Sequence, residues 1–491
     1  MKDLALHALD AARAAGATYA DARLARYRRR DIRTQDKRVN SLTDSEDIGL
    51  GVRVVADGSW GFAGSADLTN EGVEACAREA VAVARASALT RPGGKITLAP
   101  EKAQVSSFVS PREIDPFKIP VERKADLLLR VAERMLSVAK IRKTYGAMSF
   151  RGVHKVLAST EGTLAESDVI TSQVGYGATA VGKNDAKSRN YEPPPQTRGY
   201  EIVREEDLLA NAQRVAEQAV EHLQAKPCPV GKRDLILDPL HLALTIHESV
   251  GHATELDRVL GMEESLAGRS FATPEKIGNF RYGSPVVNLV ADNTLEGGLA
   301  TGGFDDDGVA GQRWDIVEEG ILRGYSTSRE VAPVIGQDRS TGGNRADHWS
   351  SIPIVRIPNL SLMPGRRRLT LQELIADTKE GIYIEGMGSF SIDQMRLNFQ
   401  FGGDAFWEIK DGRITGMLKD VTYQSITPRF WASCDAVCDE RAWVPNGVLN
   451  CGKGDPMQIS QMTHGAAPAR FRQVDVGGAS ETMKSYRAGG I

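Results

Sequence analysis

Arg233–Leu256 reads RDLILDPLHLALTIHESVGHATEL. The apolar run Arg233–Leu237 predicts a strand, and the segment from about Pro239 to Leu256 predicts a helix fed directly by that strand. Inside the helix lies His247-Glu248-Ser249-Val250-Gly251-His252, two imidazoles bracketing a carboxylate. Imidazole is the commonest protein ligand for zinc, and a Glu beside a zinc-bound water is how a metalloprotease makes its nucleophile. The chain holds only eight His in 491 residues, so their pairing carries weight. The common zinc-protease signature sets its two His four apart, whereas here they are five apart. At ~100° per residue, two positions five apart diverge by roughly 140° on a regular α-helix and cannot face one metal. A single π-type turn returns them to one side, and such bulges occur mostly at functional sites. The expectation is a kink or bulge within the motif, eased by Gly251.

Working outward, Ala225–Lys232 (AKPCPVGK) interrupts the pattern with two Pro and one Gly after a long helical stretch, which marks a domain boundary. Residues 1–225 are read as an N-terminal α+β domain and 226–491 as a C-terminal domain carrying the motif. In the first, helical spacing covers residues 2–16, 70–88, 121–139 and 205–224. Strand patterns cover 19–27, 47–55 and 59–63, with Asp57-Gly58 as a hairpin turn, and continue across 141–181. Residues 89–100 are read as a connection, and Tyr191–Pro195 (YEPPP) suits neither a helix nor a central strand. The remainder is Gly-rich and strand-rich. The fold class is α+β: an antiparallel sheet with flanking helices, then a strand-rich domain holding the His-Glu-x-x-x-His helix.

Apolar residues make up 41% and charged residues 25%, with a formal net charge of −3, which suits a soluble globular protein of two or three domains. The basic run Ala25–Arg33 (ARYRRRDIR) reads as the exposed face of a strand, and no broad basic surface points to nucleic acid. No apolar run reaches the ~18 residues of a membrane span. The N-terminal stretch MKDLALHALDAARAAGA carries acidic residues and no continuous apolar core, so it is not read as a secretory signal. Together with five scattered Cys, this gives the expectation of reduced thiols in a cytoplasmic protein.

A catalytic zinc takes three protein ligands and keeps one open position. Beyond His247 and His252, the candidates are Glu255, Asp257, Cys434, Cys438, Cys451 and His464. Cys451 has the most favourable local context, a Gly-rich loop (Asn446–Gly454) with Lys453 close enough to favour the thiolate. Cys434 and Cys438 read as buried small residues near Trp431, and Cys76 as helix core. Glu255 is a candidate acceptor for the second N–H of a ligating His. The acidic run Asp305–Asp307 lacks the spacing of a calcium loop and reads as solvated.

With these residues in place, the chain resembles the TldD branch of the TldD/PmbA family of metallopeptidases. His247, Glu248 and His252 match its His-Glu-x-x-x-His signature. Further similar segments are Phe304–Gln312 (FDDDGVAGQ), Ile316–Tyr325 (IVEEGILRGY), Pro353–Asn359 (PIVRIPN), Cys451-Gly452-Lys453 and Val476-Gly477-Gly478. Two places depart from the family pattern: Ala253–Asp257 lacks a common Gly, and His348-Trp349 stands where Ser-Tyr is more usual. The resemblance implies a zinc peptidase with His247, His252 and Cys451 as ligands and Glu248 as general base. It also implies unfolded peptides or peptide precursors as substrates. The expected assembly is a homodimer, or a heterodimer with a PmbA/TldE-like subunit. His348 is a candidate helper at the oxyanion. The edge of the strand-rich segment Gly388–Phe406, with Gly402-Gly403, is a candidate surface for an added peptide strand. The alternative is a non-catalytic or substrate-binding subunit of such a complex.

Overall fold

A computed structural model describes residues 1–90 and 94–478, so part of the 89–100 connection and residues 479–491 of the C-terminal region lie outside the described residues. The first half is built on one seven-stranded sheet. Its strands are β1 (Tyr19–Gln35), β2 (Arg38–Ala56), β3 (Ser59–Ser65), β4 (Val105–Val109), β5 (Ile141–Ser159), β6 (Leu164–Val181) and β7 (Ala186–Tyr191). The order is β3-β2-β1-β5-β6-β4, and β7 also pairs with β6. All neighbours are antiparallel except β4 with β6. Asp57 and Gly58 both take positive φ in the β2–β3 turn, as that hairpin requires.

Side-chain alternation divides the work of this sheet between its faces. On β1 and β5 the even positions Ala20, Ala22, Leu24, Ile32, Met148, Phe150, Val156 and Ala158 are buried and apolar. They meet helices α1 (Lys2–Ala14) and α2 (Asn70–Thr90) toward one end of the strands, and α3 (Val121–Leu136) and α4 (Glu205–Leu223) toward the other. The odd positions Asp21, Arg23, Arg53 and Lys155 face the C-terminal half and carry charge. β1 continues past the strand pattern of 19–27 through the basic run, which is not simply exposed, because Arg30, Asp31 and Ile32 are buried, and β2 begins well before the expected 47. Residues 38–47 of β2 are almost uniformly exposed, so no buried face imposes a period-two pattern there.

The acidic run Asp305–Asp307 is not a solvated loop. All three are buried; Asp305 accepts from the amides of Asp307, Val309 and Asn344, while the other two meet those odd positions: Arg53 bonds Asp307 at 2.7 Å and also Asp21, Lys155 bonds Asp306 at 2.6 Å, and Arg23 lies 3.7 Å from Asp306. The reading failed because local composition does not reveal cations brought from more than 150 residues away.

In the second half, strand Gly231–Leu237 lies inside a ten-stranded mixed sheet, parallel to Glu380–Glu385 and antiparallel to Ala469–Gly478. It delivers the chain into α5 (Pro239–Ile246), whose start is fixed by Pro239 and by Asp238 accepting from the His241 amide at 2.7 Å. Against α5 packs the hairpin Val444–Lys453/Gln458–Ala466. The single helix expected to Leu256 is broken. A π turn spans His247–Gly251, a 3₁₀ turn spans His252–Thr254, Glu255 is extended, and a short helix covers Leu256–Val259.

Candidate metal centre

The π turn brings the two imidazoles together. The His252 amide donates to the His247 carbonyl five residues back, and the two ring centroids lie 4.7 Å apart. Such a turn displaces backbone carbonyls, and here side chains take them up: Tyr282 donates to Ser249 O at 2.5 Å and Thr254 to Val250 O at 2.8 Å. Trp431 Nε1 donates to the Ser249 hydroxyl at 2.9 Å, a further tie on the turn. Gly251 has ordinary helical backbone angles, so its use differs from the conformational ease expected of it. A Cβ there would meet the Ile357 side chain at 2.9 Å, and glycine admits that close approach.

Cys451 arrives on the hairpin. His247, His252 and Cys451, all buried, offer ligand atoms lying within 4.8 Å of one another. A tetrahedral zinc with nitrogen at about 2.0–2.1 Å and thiolate at about 2.3 Å sets its donors roughly 3.3–3.6 Å apart. The Cys451 Sγ to His252 Nε2 distance is 3.5 Å. The donor types and the Cys451–His252 spacing therefore fit zinc.

Both imidazoles present the right nitrogen. The Leu360 carbonyl can only accept, so His464 Nδ1, 2.9 Å away, carries the proton. Neutral His464 then accepts at Nε2 from His247 Nδ1 at 2.9 Å, leaving the His247 Nε2 lone pair for a metal. His252 Nδ1 donates to Glu255 at 2.8 Å, which frees His252 Nε2 likewise. Burial pushes His247, His252 and His464 below the ordinary imidazole range. Burial opposes the Cys451 thiolate, but His252 in its protonated form and Arg356 outweigh it, so the thiol sits below its ordinary value. Burial opposes the Glu255 charge too, and Lys453 and His252 overcome it and hold the carboxyl well below the usual range.

Other candidates stand elsewhere. Asp257 is bound by Lys453 at 2.7 Å. Lys453 thus serves Asp257 and Glu255, and Arg356 is the cation that favours Cys451. Cys434 and Cys438 are core residues; burial raises both thiols, Cys438 to about 12. His348 bonds Asp47 and Ser350 and stacks on Tyr27.

Sequence reasoning did not single out Arg356 or Arg396. Arg356 ties the hairpin down through the carbonyls of Cys451 (2.5 Å) and Gln458 (2.9 Å). Its Pro-x-x-Arg-x-x-Asn setting was the available signal. Arg396 donates to the Glu248 carboxylate at 2.7 Å, and no local pattern marked it.

A carboxylate beside two converging imidazoles and a thiol, on this two-part scaffold, is the arrangement of a metallopeptidase. Three profiles of one family match the chain: PmbA/TldA metallopeptidase domain 1 over residues 20–84, the central domain over 114–225 and the C-terminal domain over 230–478. The chain belongs to the PmbA/TldD metallopeptidase family, in its TldD branch. A metalloprotease of Methanocaldococcus jannaschii is 30% identical over 82% of this chain and 85% of its own length. A zinc metalloprotease TldD homolog of Saccharolobus solfataricus is 24% identical over 94% of this chain and 97% of its own. Among solved structures, a putative modulator of a DNA gyrase from Thermotoga maritima matches with a TM-score of 0.77 at 18% identity, covering 97% of this chain and 99% of that one. TldE from Thermococcus kodakarensis matches with a TM-score of 0.74 at 16% identity, covering 97% and 100%. These two likenesses concern the fold. No helix among the described residues is long and apolar enough to cross a membrane.

Proposed function

We propose that the protein is a zinc peptidase that hydrolyses bonds of unfolded or extended peptides, with His247, His252 and Cys451 as metal ligands and Glu248 as general base. The observation that carries this reading is the convergence of three buried donor atoms next to the buried Glu248 carboxylate. Zinc, when bound, supplies a Lewis acid that acidifies water and polarises the scissile carbonyl. Glu248 takes the proton of the attacking water and passes a proton to the leaving amine. His464 and Glu255 hold the two imidazoles in the tautomer that ligation needs. Arg356 anchors the Cys451 backbone.

Among the described residues, strand Phe390–Ile392 is an edge, paired only with Asn398–Phe401. A substrate strand added there would be held by its backbone, which favours extended chains of varied sequence. The likeness to TldE supports a PmbA/TldE-like subunit or a second copy as partner. The chain passes from the first sheet to the second between 191 and 226, which supports a division into residues 1–225 and 226–491. The buried thiols and the lack of disulfides among the described residues suit a cytoplasmic setting.

The test is metal content with peptide hydrolysis for wild type, Glu248→Ala and Cys451→Ala. Wild type is expected to hold about one zinc per site and to cleave an unstructured peptide. Glu248→Ala keeps the zinc and loses about 10²–10⁴-fold in kcat. Cys451→Ala loses the zinc. Full zinc and full activity in Cys451→Ala would remove it from the ligand set.

A further inference from the structure

Arg396 is the side chain that occupies Glu248. Its Nη1 donates to Glu248 Oε2 at 2.7 Å, and both side chains are almost buried, at 13% and 8% exposure. Among the described residues this is the only hydrogen bond its guanidinium makes, and its Nε is buried without a partner. Arg345 and Arg356 also leave Nε unpartnered, but both use their terminal nitrogens on backbone carbonyls as structural ties. Arg396 has no such tie.

The backbone at Arg396 is equally particular. Its φ is +61°, a left-handed conformation that costs a non-glycine residue about 1 kcal/mol or more. The surroundings impose it: the Arg396 amide donates to Asp393 O at 3.0 Å, and Thr427 donates to Arg396 O at 2.8 Å. On either side, Phe271 N bonds Met395 O and Thr427 N bonds Leu397 O. The strained residue is therefore held at both peptide groups, and its side chain is aimed at the carboxylate beside the metal ligands.

We propose that Arg396 is a catalytic residue that orients Glu248 in the resting enzyme and donates to the scissile carbonyl oxygen of a bound peptide. This rests on the peptidase reading of the site. As the water oxygen bonds to the carbonyl carbon, the C=O π pair moves onto the carbonyl oxygen. The spare guanidinium N–H groups meet the negative charge that develops there, and the guanidinium keeps all its protons throughout. A donor fixed in advance in a buried site acts on the transition state more than on the bound substrate. Losing Arg396 should therefore fall on kcat rather than KM.

The experiment compares zinc-loaded wild type, Arg396→Gln and Arg396→Lys for zinc content, thermal midpoint, kcat and KM on an unstructured peptide. It also measures affinity for a phosphinic peptide, which mimics the tetrahedral transition state. Arg396→Gln is expected to keep its zinc and its midpoint, and to lose about 10²–10³-fold in kcat with KM nearly unchanged. It should lose phosphinic-peptide affinity in parallel, and Arg396→Lys should recover part of both. Arg396→Gln with wild-type kcat and phosphinic affinity overturns the proposal and leaves the peptidase reading intact. An equal loss of kcat in Arg396→Lys and Arg396→Gln with phosphinic affinity unchanged in both also overturns it, because the residue would then act on Glu248 alone. Zinc-loaded wild type that neither cleaves peptides nor binds the phosphinic peptide overturns the peptidase reading and this proposal together.

Discussion

His464 shows how far the candidate metal site extends beyond its three donor residues. It touches no metal position, yet the direction of its two hydrogen bonds decides which nitrogen of His247 is free. His464→Phe leaves His247 Nδ1 buried without an acceptor and is expected to weaken zinc binding about 10–100-fold. His464→Gln, whose amide can accept from one side and donate to the other, should recover much of it. Competition with a chelator of known affinity measures both. Among the single residues, His247, Glu248, His252 and the acceptor Glu255 were legible because they lie within nine positions of one another. Cys451 was favoured by its Gly-rich loop ahead of the resemblance, whereas His464 was a candidate ligand whose place behind His247 was not legible. Nothing local to residue 464 records that its imidazole comes to lie behind a residue 217 positions earlier.

At the scale of the element, the five-residue spacing alone demanded a π turn, and the structure has one over His247–Gly251. What the spacing did not convey is how the turn is held. Tyr282, Trp431 and Ile357 converge on it from separate segments, and their sequence neighbourhoods give no hint of a common target. Gly251→Val is expected to overpack against Ile357 and cost about 1–3 kcal/mol. Trimming the neighbour with Ile357→Ala in the same chain should restore part of the loss, read as a rise in the thermal midpoint over the single variant. The start of β2 was under-read for a related reason. Residues 38–47 are exposed on both faces and carry no alternation to detect.

Across the whole molecule, the two halves meet through charge. Burial works against the Asp306 carboxylate, but Lys155 and Arg23 outweigh it and hold it to about 2. Its unfolded value is about 3.9, so the folded value is depressed. The stabilisation is present above pH ~4 and is lost as pH falls toward 2, at about 3 kcal/mol in all. Asp306→Asn leaves Lys155 and Arg23 uncompensated and is expected to cost about 3–5 kcal/mol near neutral pH. In urea unfolding series at pH 5, 3 and 2, the gap between wild type and variant should narrow with each step downward.

The candidate ligands are divided between two distant parts of the chain, with 199 positions between His252 and Cys451. A ribosome adding about 5–20 residues per second takes roughly 10–40 s to cover that interval. Throughout it the emerging polypeptide carries both imidazoles and the carboxylate but not the sulfur. On the proposed ligand set, a growing chain therefore cannot complete its donor set until Cys451 has been added, and it cannot cut itself before then.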